Sequence, residues 1–110
     1  MKEKIKCFSR LLEKALEFDH DEYFIDLDIS VNIVNNVWVA LREKVSDESK
    51  IVFCFCYERL SIEDIKVLTD KIIKLLGDIE ECTNIENIKA KLPLEDDKYV
   101  DIKKFIKGDK

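Results

Sequence analysis

Three groupings of residues in this 110-residue chain have the types and spacing to do chemistry. His20, the only histidine, lies between Asp19 and Asp21. Any Ser-His or Cys-His nucleophilic pair would have to use it. Its setting, a polar break between periodic segments, reads as a solvated linker position, and no catalytic residue is assigned. Asp26 and Asp28, with Asp19 and Asp21 just before them, could offer carboxylate oxygens to a hard cation. Residues two apart on a strand share a face about 7 Å apart. The spacing matches no dedicated cation loop, however, and alternating acids are what the wet face of a strand carries. Cys54 and Cys56, with Cys7 and Cys82, supply four sulfurs. Structural zinc sites draw on Cys-x-x-Cys turns. A Cys-x-Cys inside an apolar strand points both thiols to one face and cannot close a disulfide without distorting it. Four reduced thiols, no metal and no cofactor are expected. With only Gly77 and Gly108, the chain cannot build a Gly-rich phosphate loop.

The elements that must position these residues follow from periodicity. Over residues 2–18, Ile5, Phe8, Leu11, Leu12, Ala15 and Leu16 recur at spacings of three and four, which predicts an amphipathic helix. Residues 22–33 alternate: Tyr23, Ile25, Leu27, Ile29, Val31 and Ile33 on one face, Asp26, Asp28, Ser30 and Asn32 on the other. Asn35-Asn36 is a turn signal. A three-residue loop over 34–36, pairing Ile33 with Val37 and Ile29 with Leu41, keeps the apolar face continuous better than a two-residue Asn-Asn loop. A second strand over 37–45, a polar loop over 46–49 and a third strand over 50–57 follow, the last apolar on both faces. Ser61 with Asp64 resembles a capping box. Ile62, Ile65, Leu68, Ile72, Leu75 and Leu76 make the next helical stripe, and Gly77 suits its C-terminal stop. Further helices are predicted over 78–92, ended by Pro93, and over 96–107, with Asp96 and Asp97 at the start and lysines at the end.

The fold class expected is therefore α+β: a three-stranded antiparallel meander packed with helices, in the order α-β-β-β-α-α-α. Residues 1–95 form a single domain, and residues 96–110 form a C-terminal helix and basic tail packed on it. The first five elements run in the order seen in double-stranded-RNA-binding domains and at the start of the acidic chaperones that escort secreted bacterial effectors. That likeness is one of element order alone. The predicted core joins Ile5, Phe8, Leu12, Leu16, Ile25, Leu27, Ile29, Val39, Leu41, Phe53, Phe55, Ile65, Leu68 and Ile72.

Composition narrows the function classes. Apolar residues are 46% of the chain, enough for a core, and charged residues 39%, with net charge −5. The longest apolar runs fall far short of the ~20 residues of a membrane-spanning helix. The charged first fourteen residues contain no signal-peptide core. A cytoplasmic location is expected, with no membrane partner. Nucleic acid is disfavoured, since the start of the second long helix reads Ser61-Ile62-Glu63-Asp64, acidic where a phosphate-binding helix would carry lysines. What remains is a small non-catalytic module that binds a basic protein, of inhibitor, immunity or anti-defence type. The alternatives are a self-associating subunit, a homodimer, or an effector-chaperone-like protein. A carboxylate metal-dependent enzyme comes third. The residues expected to meet the partner are Asp19, Asp21, Asp26, Asp28, Asp47, Glu48 and Trp38, because residues 21–50 hold seven acids against three bases.

Overall fold

The computed structural model describes residues 2–31, 35–44, 50–81 and 84–108. The elements are α1 (Lys2–Glu17), β1 (Tyr23–Val31), β2 (Asn35–Glu43), β3 (Ile51–Glu58), α2 (Ile62–Glu81), α3 (Ile85–Ala90) and α4 (Ile102–Lys107). This is the expected α-β-β-β-α-α-α order around an antiparallel meander with strand order β1-β2-β3.

The register differs from the expected one. Ile29 pairs with Val37, Leu27 with Val39 and Ile25 with Leu41. Asn35 and Asn36 lie in β2 opposite Val31 and Ser30, and the connection moves to residues 32–34, outside the described residues. The two registers are an even number of residues apart. Alternation forbids only odd shifts, so the apolar pattern admits both. Between β2 and β3 the pairing is regular from Asn36↔Glu58 to Leu41↔Phe53, and then a bulge at Leu41/Arg42 brings Arg42 opposite Ile51. The loop expected over 46–49 lies outside the described residues. Arg59, with φ 56° in the left-handed region, turns the chain from β3 toward α2.

The four helices among the described residues pack on one face of the sheet. Val37, Val39, Leu41, Phe53, Phe55 and Tyr57 form a cluster with Leu11 of α1 and with Leu68, Ile72, Leu76 and Ile79 of α2. Ile85 and Ile88 of α3 and Phe105 of α4 pack against the same cluster. Six predicted core residues are buried there, Val39, Leu41, Phe53, Phe55, Leu68 and Ile72, and Ile65 of α2 is buried as well. Phe8, Ile25, Leu27 and Ile29 are half-buried against it.

Three are not in the core. Ile5, Leu12 and Leu16 are 56%, 49% and 78% exposed, while Cys7 and Leu11 are buried instead. The apolar residues of α1 spread over an arc wider than one contact face, so periodicity permits more than one docking rotation. The rotation observed lets polar residues on the adjoining flank reach α2: Arg10 Nη2 lies 2.7 Å from Asp70, Lys14 bonds Glu80, and Lys66 lies 3.3 Å from Glu3.

The helix boundaries after β3 also shift. The Ser61 hydroxyl accepts the Asp64 N–H at 3.2 Å, as the capping signature requires. Gly77 does not end α2, which continues to Glu81. The stripe Ile65, Leu68, Ile72, Leu76 extends to Ile79, and burying Ile79 outweighs one helical glycine. The helix expected over 78–92 reduces to α3, with Asn84 as its N-cap. Asp96 and Asp97 do not start a helix. The Asp96 carboxylate accepts the N–H groups of Lys98 and Tyr99 at 2.7 and 2.9 Å, making a turn that lays residues 98–100 alongside β3. Asp101 then caps α4, and Gly108 closes it at φ 83°.

Candidate partner-binding surface

Because the helices share one face, no helix among the described residues covers the other face of the sheet. Phe24, Asp26 and Asp28 of β1 stand beside Trp38, Ala40 and Arg42 of β2, with Cys54 and Cys56 of β3 next in line and Tyr99 paired with Cys54 at the far side. Arg42 organises the centre. Its Nε donates to Asp26 Oδ2 at 2.9 Å, and its guanidinium lies 5.3 Å from the Trp38 ring centroid. Burial pushes the Cys54 thiol up, an effect the neighbouring Trp38 indole partly offsets. Ala40 and Cys54 are inaccessible beneath this layer, whereas Trp38 and Phe24 are half-exposed and Asp28, Cys56 and Tyr99 exposed. The result is an aromatic surface with one ion-paired aspartate and one exposed aspartate.

The predicted site residues do not all assemble. Asp28 sits opposite Trp38 in the register, with Asp26 two residues away, so these three belong together. Asp19 and Asp21 are exposed at the other end of β1, roughly 20 Å from Asp28 along a strand. The Asp19 N–H donates to Glu80 at 3.0 Å, tying the end of α1 to α2. Asp47 and Glu48 lie outside the described residues. Among the described residues, no group of three or more His, Cys, Asp or Glu side chains could hold a metal ion. The geometry explains it: Asp26 is engaged by Arg42, and Asp19 and Asp28 lie at opposite ends of β1.

His20 departs from a solvated linker. It is half-buried, its ring 4.9 Å from Tyr23, and its Nδ1 accepts the Glu22 N–H at 3.0 Å. Its carbonyl accepts Lys44 Nζ at 2.6 Å. The thiols are dispersed. Cys7, Cys54 and Cys56 are free; Cys7 lies on the helix side of the sheet and the other two on the bare side, so no single metal could take all three. Cys82 lies outside the described residues.

Two of the cavities among the described residues lie between helices. One of about 330 Å³ between α1 and α2 is lined by Glu3, Lys6, Cys7, Arg10, Lys66 and Asp70. Its charges pair across it as Glu3–Lys66 and Arg10–Asp70. The other, about 250 Å³ between α2 and α4, holds Lys71, Lys74 and Lys91 beside Phe105. Lys71 Nζ already donates to the Phe105 and Ile106 carbonyls at 2.7 and 2.9 Å, where it holds the end of α4. No helix among the described residues is long and apolar enough to cross a membrane.

Sequence reasoning missed Phe24, Tyr99 and the Arg42 bridge. Arg42 carried a signal: on β2 it falls on the face of Trp38 and Ala40, where it can reach the acids of the neighbouring strand. Comparison with protein-family models, with curated proteins and with solved structures found no match for this chain.

Proposed function

We propose that the chain is a small acidic, non-catalytic module that binds a basic protein, as an inhibitor, immunity or anti-defence protein would, in the cytoplasm. The observation that carries this reading is the bare sheet face: Trp38 beside Arg42, with Phe24 and Tyr99 elsewhere on the same face and Asp28 exposed opposite Trp38. A half-exposed tryptophan packed against a cation is the kind of anchor that dominates protein interfaces. The net charge of −5 adds long-range attraction for a cationic partner. The test is the association rate with the partner captured from the native host, followed against ionic strength. The rate should fall as salt rises, Asp28→Lys should slow it further, and Trp38→Ala should accelerate dissociation. A partner whose rates ignore all three places its contact elsewhere.

A second reading, a self-associating subunit, has its own observation in the exposed Ile5, Leu12 and Leu16 of α1. A stable oligomer of the pure chain in sedimentation would favour it.

A further inference from the structure

The outer edge of β1 and the outward flank of α1 form one surface. Lys44 N–H donates to the Glu22 carbonyl, so in the β1–β2 register the even-numbered residues of β1 bond to β2. The N–H and C=O groups of Ile25, Leu27 and Ile29 therefore point away from the sheet. Among the described residues no strand pairs with that edge. The opposite edge is treated differently: Cys54 N–H donates to Lys98 and its carbonyl accepts from Val100, at 2.8 and 3.0 Å. Above the β1 edge stands α1. Its Arg10 and Lys14 flank faces α2, so Ile5, Leu12 and Leu16, on the opposite flank, face outward past β1. An exposed edge bordered by an apolar shelf is what strand addition uses.

We infer that this edge receives an extended segment of another protein, in which apolar residues alternate with lysine or arginine, as an added strand along β1. The inference rests on the reading of the chain as a binding module and adds the place and the sequence pattern of the segment bound. The alternation follows from the pleat. Side chains opposite Ile25, Leu27 and Ile29 turn toward the α1 shelf and must be apolar. The side chain opposite Asp28, which is exposed on the bare face while Asp26 is taken up by Arg42, must be cationic, and the pleat places its alternate neighbours on that same polar side. Asp28 also disfavours a second copy of this chain. Two-fold antiparallel pairing of β1 with itself, centred on residue 28, sets Asp28 against Asp28.

The test uses the full chain and a fluorescent octapeptide, (Lys-Val)₄, followed by anisotropy and by amide hydrogen exchange. Binding should slow exchange at Ile25, Leu27 and Ile29, and replacing a central valine of the peptide by proline should abolish it. Asp28→Lys should weaken (Lys-Val)₄ about fivefold and improve binding of (Glu-Val)₄. The double substitution Leu12→Asn and Leu16→Asn, on exposed positions that leave the fold intact, should weaken both peptides. The inference is overturned if (Glu-Val)₄ binds the unaltered chain as well as (Lys-Val)₄ does, or if protection arises away from β1. It is overturned equally if the chain alone dimerises with those three amides protected. A captured basic partner that binds the Trp38 face while leaving the β1 amides unprotected keeps the module reading and removes this one. The reverse result, edge protection by (Lys-Val)₄ with no salt-dependent partner at the Trp38 face, keeps this inference and removes the other surface.

Discussion

The two faces of the sheet are made by the same three strands, yet they bury their side chains by different means. On the helix side, Phe53 and Phe55 meet edge to face at 5.8 Å, Phe105 closes on Phe55 at 5.0 Å, and α2 lays Leu68, Ile72 and Leu76 over them. On the bare side, Ala40 and Cys54 are just as inaccessible, but their neighbours are Trp38 and Arg42 of the sheet and the Lys98–Val100 segment bonded along Cys54 rather than a helix. The first kind of burial holds the domain together. The second leaves large side chains partly in water, where a partner can use them. A strand apolar on both faces, like β3, therefore need not be sandwiched between two layers of helices.

The comparison is broken most directly by truncating one aromatic from each face. Phe55→Ala should cost about 3–5 kcal/mol, because its neighbours on α2 and α4 cannot collapse into the space. Trp38→Ala should cost no more than about 2 kcal/mol, since much of the indole already contacts water. Urea unfolding of both variants measures the difference. Equal losses would make the bare face a second core and remove the reason to regard it as an interface.

A smaller effect concerns how the helices are held over their face. Lys14 and the Asp19 N–H both bond Glu80, and these hold its carboxyl below the usual glutamate range. A carboxyl whose pKa is lowered by folding contributes stability that is complete above its unfolded value, about 4.3, and is lost as pH falls through the folded value. Glu80→Gln should therefore destabilise the chain by about 1–2 kcal/mol at pH 7. As pH falls through the folded value the variant and the parent should converge. A gap that persists undiminished into acid would show that Glu80 acts by packing rather than by charge.

The smallest effect sharpens the comparison without touching stability. Cys54 and Cys56 share the bare face, but Cys54 is buried with its thiol pushed up, while Cys56 is exposed. Alkylation followed by fragment mass spectrometry should label Cys56 well before Cys54. In the presence of a partner seated on Trp38, Cys56 should become slow as well. Fast labelling of Cys54 would mean that the Trp38–Arg42 cover opens readily.

Much of this architecture is legible in the amino-acid sequence alone. Period two in residues 22–33, the apolar aromatic and β-branched run at 50–57 and period three to four in residues 62–76 point to a sheet with helices on it, and hydrophobic burial admits few other arrangements. The placement of Trp38, Asp26 and Asp28 on one face also follows from alternation alone. Other features needed the assembled molecule. Alternation repeats every two residues, so it could not choose between registers four residues apart. An over-wide apolar arc could not choose which side of α1 to bury; docking on Cys7 and Leu11 left Ile5, Leu12 and Leu16 outward. Residues 96–100 became a turn and a strand-like addition because β3 offered unpaired backbone groups at Cys54, a demand absent from the local sequence. Local patterning determined what each segment is and which side chains share a face. Only the competition among elements for the same surfaces decided which faces stay covered, which edge is paired and which is left open.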